Sequence, residues 1–312
     1  MAESRRWVRW LLVPRSGLVV VTMALAGLSW ASVPAGATGH EVIDVLAAEN
    51  TWGSLATQLG GNRVHVVSIV SDPNADPHEY ESNPADARDF AEARYVIVNG
   101  AGYDAWASQL LGAQGVSGRK VLNVARLLGK GTAANPHFWY GPGYVERVMA
   151  KITADYGALD PADRGYFTAR RAAVEAAFRP ERAVLTYLRT HFSGAPVAST
   201  ESIFAYLAQY VHLDLVTPSA FMQAVAEGND PPAPSVATFY QQITAKAFRV
   251  LIYNVQTVTP LTTSLKAATA QMNIPVIGVS ETIQPPIDTF EQWMTGQLSA
   301  LANALNAQAL GQ

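Results

Sequence analysis

The chain has 312 residues, of which 49% are hydrophobic and only 15% are charged. It can therefore bury one large core or two ordinary ones, and it is neither a disordered nor a coiled-coil protein. Its 22 Lys and Arg stand against 25 Asp and Glu, and no basic run follows the first fifteen residues, which argues against nucleic acid as a partner. The absence of Cys excludes disulfides, thiolate metal ligands, thiol nucleophiles and a lipidated cysteine, so any metal must be held by nitrogen and oxygen atoms.

The first 37 residues have the layout of a secretory signal. Four Arg between positions 5 and 15 precede an apolar stretch over 18–28, and small residues ending in Ala35-Gly36-Ala37 follow. This pattern is typical of a signal peptide with an A-x-A cleavage site, and residues 1–37 are assigned to it. An uncleaved membrane anchor is the alternative. Both interpretations export the rest of the chain, which has no Cys through which a lipid could anchor it.

From residue 40 onward, short β-rich runs alternate with amphipathic helical stretches, which predicts an α/β fold with parallel sheets. In a first block, strands are expected over 42–47, 64–70, 95–99 and 120–124, with helices over 51–59, 84–93 and 105–111. In a second block, strands are expected over 196–199, 213–215, 250–254 and 276–278, with helices over 202–210, 235–247, 262–271 and 289–306. Each block would form one four-stranded sheet flanked by helices.

A further helical stretch lies between the two blocks. Asp160-Pro161 reads as an N-cap followed by Pro at the first helical position, and an alanine-rich helical pattern continues to about residue 190. The sequence therefore predicts an N-terminal lobe over 40–160, one long rigid linking helix over 161–191 and a C-terminal lobe over 192–312. Pro180 is the point at which this helix would kink.

Two of the six His follow predicted strands. His78 lies in a turn-rich segment after the strand that ends at Val70, and His137 follows a strand and loop just before the helix that Pro142 opens. In an open α/β sheet, ligands bind at the loops that leave the carboxyl ends of the strands. Both imidazoles therefore lie where a cleft is expected, and the Pro before each of them stiffens its backbone.

Two carboxylates occupy the same kind of position in the second block, since Glu201 and Glu281 each follow a predicted strand. Taken singly, each has an ordinary explanation, Glu201 as an acid at a helix N-terminus and Glu281 as a solvated loop acid. Taken together with His78 and His137, they are four potential ligands at four strand ends, two from each block. This arrangement favours a metal site.

Five short segments of the chain resemble, in order and spacing, the motifs of one protein family. The segments are 76–81, 135–139, 200–206, 227–231 and 279–282. With them, the chain resembles the cluster 9 (A-I) solute-binding proteins of zinc and manganese ABC importers, from about residue 41 to residue 305. Each motif alone is weak, but five in register are specific.

The resemblance implies that His78 and His137 are imidazole ligands from the first lobe, and that Glu201 and Glu281 are carboxylate ligands from the second. It implies a metal-binding protein that is not an enzyme, exported to the periplasm or cell envelope, whose cargo of Mn²⁺ or Zn²⁺ is bound between the lobes. The expected partner is the membrane permease of an ABC importer, and the expected oligomeric state is a monomer.

The chain departs from the family pattern in two respects. Many members have His where Glu201 stands and Asp where Glu281 stands, so a site with two His and two Glu would be more anionic than a three-His site. Many zinc members also carry a loop rich in His and acids before the second His, whereas residues 111–135 contain no His, Asp or Glu.

Two imidazoles and two carboxylates suit Zn²⁺, Mn²⁺, Fe²⁺ or Co²⁺, whereas oxygen ligands alone would indicate Ca²⁺ or Mg²⁺. Carboxylates that bind through both oxygens would provide the six ligands that manganese prefers, and single-oxygen binding would provide the four or five that zinc tolerates. The ligand types lean slightly toward manganese. Because protons compete with the imidazoles, metal affinity is expected to weaken below about pH 6.

An exported zinc-dependent metalloenzyme is the alternative function. In it, His78, His137 and one Glu would hold zinc while the other Glu acted as general base on a bound water. The sequence contains no H-E-x-x-H or comparable helix-borne pair that would support this hypothesis. Four protein ligands that close the coordination sphere would favour binding over catalysis.

Overall fold

Two four-stranded parallel sheets organise the protein in the computed structural model, which describes residues 41–113 and 115–310 except for the side chain of residue 310. The first sheet has the strand order β2-β1-β3-β4 and the second has the order β6-β5-β7-β8. The strands are β1 (Ile43–Glu49), β2 (Val64–Val70), β3 (Tyr95–Val98), β4 (Lys120–Asn123), β5 (Pro196–Ser199), β6 (Asp214–Leu215), β7 (Leu251–Asn254) and β8 (Val276–Val279). All eight predicted strands are confirmed, with bounds that differ by one or two residues at most.

Helices flank both sheets. They are α1 (Asn50–Gly60), α2 (Pro84–Glu92), α3 (Ala105–Ala113), α4 (Val124–Leu128), α5 (Pro142–Leu159), α6 (Arg164–Ala177), α7 (Arg179–His191), α8 (Ala205–Val211), α9 (Ser219–Ala226), α10 (Ala233–Thr244), α11 (Pro260–Gln271) and α12 (Phe290–Leu310). The short helices α4 and α9 were not predicted, and the helix expected over 202–210 begins as a 3-10 turn, Ser202–Phe204. Within the described part of the chain, no helix is long and apolar enough to cross a membrane.

The central strands are buried along almost their whole length because helices cover both faces of each sheet. All four residues of β3 and of β7 are buried, as are six of the seven in β1. This explains why they read as continuous apolar runs and not as alternating patterns. The predicted signal peptide over 1–37 lies outside the described residues.

The linking segment differs from the prediction of one helix over 161–191. Two consecutive helices, α6 and α7, are separated by the single residue Phe178, and Pro180 is in the first turn of the second helix. Pro has no N–H to donate, and its ring clashes with the carbonyl four residues earlier, so it favours a break or kink of the helix at this point. The expected N-cap is also wrong, because Asp160 ends α5 and Asp163 is the residue that precedes α6.

One hydrophobic core joins the two sheets. Buried residues continue from Trp52 and Tyr95, beside the first sheet, to Trp293 on α12, beside the second. At the break between the linking helices, the ring of Phe178 stacks on Phe290, the first residue of α12, with ring centroids 5.9 Å apart. The linker is therefore packed into the body of the molecule.

Candidate metal centre

The four residues that the sequence singled out lie together between the two sheets. The Nε2 atoms of His78 and His137 are 3.4 Å apart, and Oε2 of Glu281 lies 3.3 Å from the first and 3.5 Å from the second. Oε2 of Glu201 lies 4.0 Å from Nε2 of His137. Ligand atoms of His78, His137 and Glu201 all fall within 4.8 Å of one another, close enough to share one ion.

Sheet topology explains the convergence. In each sheet the strand order reverses direction beside the first strand of the block, and in such folds the loops that leave the carboxyl ends of the strands form a crevice. The loop after β2 supplies His78, and the segment after α4, the short helix that follows β4, supplies His137. The loops after β5 and β8 supply the two carboxylates. Residues far apart in the chain thus meet at one point.

His78 is held by its own loop. Asp76 precedes a 3-10 turn, Pro77–Glu79, and its side chain accepts a hydrogen bond from the backbone N–H of His78 at 2.9 Å. About 18% of the His78 side chain is exposed, whereas those of His137, Glu201 and Glu281 are fully buried. His78 is therefore the side of the cluster that solvent can reach.

Asn135 fixes the orientation of His137. Its Oδ1 accepts hydrogen bonds from the backbone N–H of His137 at 3.0 Å and from Nδ1 at 2.7 Å, while its Nδ2 donates to the carbonyl of Ser202 at 2.7 Å. Because Nδ1 carries the proton, Nε2 presents its lone pair to the cluster. The Asn-Pro-His segment thus carries both a candidate ligand and the group that sets its tautomer.

Asn254 lies between the two glutamates and was missed by sequence reasoning. Its Nδ2 donates to Oε1 of Glu201 at 2.9 Å and to Oε1 of Glu281 at 2.7 Å. Thr257 adds a second donor to the same oxygen of Glu281 at 3.3 Å. Asn254 is the last residue of β7, so the argument from strand ends that selected the glutamates could also have identified it.

Tyr103 and Gln256 were also missed, and both join the lobes. The Tyr103 hydroxyl, on the loop after β3, donates to Oε2 of Glu281 at 2.6 Å. Gln256 donates through Nε2 to the carbonyl of Ala75 at 2.8 Å, and its Oε1 accepts from the backbone N–H of Glu281 at 2.7 Å. The segment that carries His78 is thereby tied to the segment that carries Glu281.

The ionisable groups of the cluster shift one another's pKa values. Burial alone would lower the pKa of His78, but the carboxylate of Glu281 outweighs it and raises this pKa to about 9. Burial raises the pKa of Glu201 to about 7 despite the nearby His137. Burial opposes ionisation of Glu281 as well, but the charge of His78 and the close contacts with both imidazoles hold its pKa well below the usual value. Without a metal, Glu281 is the anion that the cluster stabilises.

A cleft of about 600 Å³ leads from the surface to His78. Tyr103, Asn135, Ser202, Met222 and Glu227 are among the residues that line it. The cleft is the route by which solvent and small ions reach the exposed edge of the cluster.

The chain has recognisable relatives. The family model of ZnuA, described as zinc-uptake complex component A, periplasmic, matches residues 45–304. A protein of Treponema pallidum (strain Nichols) described as metal-binding is 24% identical over 218 residues, which cover 61% of this chain and 67% of that protein. The manganese-binding lipoprotein MntA of Halalkalibacterium halodurans is 26% identical over 149 residues, and the match spans 46% of this chain and slightly less than half of that lipoprotein, 48%.

Among solved structures, the crystal structure of ZnuA has the same fold. It superposes with a TM-score of 0.67 at 21% sequence identity, covering 85% of this chain and all of that one. The match to the family model extends over nearly the whole described chain, from β1 into α12. The chain therefore belongs to the ZnuA family of periplasmic zinc-uptake components.

Proposed function

We propose that this protein is an extracytoplasmic solute-binding protein that captures Mn²⁺ or Zn²⁺ between its lobes and delivers it to the permease of an ABC importer. The observation that carries the proposal is the convergence of His78, His137, Glu201 and Glu281 from four segments of the chain, two in each lobe. In the described part of the chain, the buried Oε2 of Glu201 has no hydrogen-bond partner. A buried polar atom without a partner is costly, and a cation would satisfy it.

Charge balance supports a divalent cargo. Two carboxylates and two neutral imidazoles bind a divalent ion with no net charge left over, which suits a cluster of which three side chains are fully buried. Imidazole and carboxylate together suit first-row transition ions such as manganese and zinc. The names of the relatives, one for zinc uptake and one for manganese binding, agree with this class of cargo.

Delivery would follow from linkage between metal binding and lobe arrangement. With two ligands on each lobe, the ion stabilises one relative arrangement of the lobes. A permease that prefers this arrangement would accept the loaded protein and release the empty one. No bond in the cargo is made or broken, and we infer that the protein is not an enzyme, since four candidate ligands would close the sphere of a four-coordinate ion. The family is one of transport components and lends no support to the metalloenzyme alternative.

The protein would act as an exported monomer in the periplasm or cell envelope, without a nucleic-acid partner and without a lipidated cysteine, since its sequence contains no Cys. We further propose 40–160 and 192–312 as the metal-binding lobes and 161–191, with its two helices, as the linking segment.

Elemental analysis of protein purified without added metal would test the function. The wild-type chain is expected to carry about one equivalent of a transition ion, and Glu201→Ala is expected to lose it. Glu92→Ala, which removes an exposed acid of α2, is the matched control and should retain the ion. Equal metal content in all three proteins, or none in the wild type after supply of Mn²⁺ and Zn²⁺, would contradict the proposal.

The expected weakening of metal affinity in acid stays a prediction, but because Glu281 raises the pKa of His78 to about 9 in the metal-free protein, protons compete with the ion from about that pH downward and not only below about pH 6. Titration of the metal-free protein with Zn²⁺ at pH 5 and pH 7.5 checks it. Equal affinities at the two pH values would mean that imidazole ligands do not hold the ion.

A further inference from the structure

We propose that Asn254 determines the metal preference of the site by holding one oxygen of each glutamate, so that the site offers four donor atoms and selects zinc over manganese. This inference rests on the proposed function. It reverses the slight lean toward manganese that the ligand types alone suggest, because the number of available oxygens, and not their type, separates the two ions.

The position of Asn254 follows from strand register. β7 lies between β5 and β8; Ser199 pairs with Ile252, and Asn254 pairs with Val279. Glu201 and Glu281 each come two residues after the paired residue of their strand, so they flank the end of β7 on both sides. A short polar side chain at this point reaches both carboxylates, and Asn254 contacts both through Nδ2.

The orientation of the Asn254 amide is fixed by its other contacts. Its Oδ1 accepts from the backbone N–H of Gln256 at 3.0 Å, and its own backbone N–H donates to Thr200 at 3.1 Å. Nδ2 therefore faces the carboxylates, and its hydrogens are shared among Oε1 of Glu201, Oε1 of Glu281 and Oγ1 of Thr257, which lies 3.0 Å away. The side chain is fully buried, so no water competes for these hydrogen bonds.

Each glutamate is consequently left with one oxygen toward the imidazoles. In Glu201 this is the unpartnered Oε2, and in Glu281 it is the Oε2 that lies within 3.5 Å of both imidazoles. Two imidazole nitrogens and two single oxygens make the four-coordinate set that zinc accepts. Manganese prefers six ligands, and the burial of three of the four side chains limits the water that could supply the remainder.

Asn254→Ala would release Oε1 of both glutamates and permit them to bind through two oxygens. The test compares the ratio of the Mn²⁺ and Zn²⁺ dissociation constants, measured by competition, in the wild type and the variant. We expect this ratio to fall about tenfold in Asn254→Ala, which is the size of effect typical of residues that hydrogen-bond to metal ligands. Thr257→Val removes the weaker donor to Glu281 together with the 3.0 Å contact to Nδ2 of Asn254, but leaves Asn254 in place, and should lower the ratio less. Asn306→Ala, on α12 and away from the site, should not change it.

Visible absorption of the Co²⁺-loaded protein provides a second readout, which the wild type alone can already give. Four-coordinate Co²⁺ absorbs strongly in the visible range and six-coordinate Co²⁺ absorbs weakly, so the wild type is expected to give strong bands, weakened in Asn254→Ala. Weak bands in the wild type, or a ratio unchanged in a folded Asn254→Ala protein, would overturn the role of Asn254. If the wild type binds none of these ions, the proposed function itself fails. If the Asn254→Ala variant does not fold, the wild-type spectrum and the Thr257→Val variant still test the role of Asn254.

Discussion

The two lobes supply their candidate ligands in different ways. In the first lobe, each imidazole needs little support: Asn135 orients His137, and Asp76 caps the turn that carries His78. In the second lobe, the carboxylates are fully buried and are surrounded by donors, chiefly Asn254. A neutral imidazole is cheap to bury, whereas an ionised carboxylate must receive hydrogen bonds or a cation. The network of donors therefore belongs to the lobe that carries the charge.

The largest expected effect comes from comparing the loss of one candidate ligand from each lobe. Glu281→Ala should weaken zinc binding at least about 100-fold, beyond what loss of an outer-sphere partner typically causes, and more than His78→Ala does. The reason is that Oε2 of Glu281 lies within 3.5 Å of both imidazoles and also accepts from Tyr103, whereas His78 is partly exposed and at the edge. Calorimetric titration of both variants measures this, and a greater loss in His78→Ala would break the comparison.

A smaller effect is expected from changing Asn135, the residue that orients His137. Asn135→Ala removes the acceptor of Nδ1 and should weaken zinc binding by about 10- to 100-fold. Asn135→Asp is the matched control, because both variants lose the hydrogen bond to Ser202 but the aspartate keeps an acceptor for Nδ1. Competition titration checks the pair. Equal affinities in the two variants would show that the bond to Ser202, and not the orientation of the imidazole, is what matters.

Loss of the hydrogen bond from Tyr103 should lower the stability of the metal-free protein. Tyr103→Phe removes the hydroxyl that donates to the buried Glu281, and the free energy of unfolding of the metal-free protein should fall by about 2 kcal/mol. Urea denaturation measures the change. Tyr210→Phe is the control, since that side chain is exposed and its loss of a hydroxyl should have little effect. Equal stabilities of the two variants would mean that Tyr103 contributes no net stabilisation.

A last effect, on stability and not on metal binding, is expected outside both sets of ligands, on the linking segment. Burial raises the pKa of Glu181 on α7 to about 8; Arg182 opposes this rise and Glu291 adds to it. The folded state thus keeps a proton that the unfolded chain releases near pH 4.5, so stability declines as pH rises from about 4.5 to about 8. Glu181→Gln cannot ionise and should be more stable than the wild type at pH 8, by about 1 kcal/mol or more, but not at pH 4. Thermal unfolding at the two pH values tests this, and a difference independent of pH would exclude ionisation of Glu181 as its cause.

The strands and the four candidate ligands could be predicted from the sequence because both depend on local pattern. The apolar runs of β1, β3 and β7 indicate strands covered on both faces, and ligands at strand ends follow from α/β topology. The break at Phe178 was harder to place, because a Pro in the first turn of a helix and a Pro that kinks one look alike in sequence. A helix as short as α4, with five residues, gives too few turns for a periodic signal.

By itself, the amino-acid sequence determined the fold class, the absence of thiolate chemistry and the identity of the residues with the potential to hold a metal. Only the tertiary structure decided which atoms of those residues are free, because the register of three adjacent strands brings Asn254 between the two glutamates. It also decided which side chains join the lobes, since Tyr103 and Glu281 are 178 positions apart and meet only when both sheets are packed. Residue type sets the chemistry that is possible, and the contacts made by distant backbone segments set how many donor atoms remain.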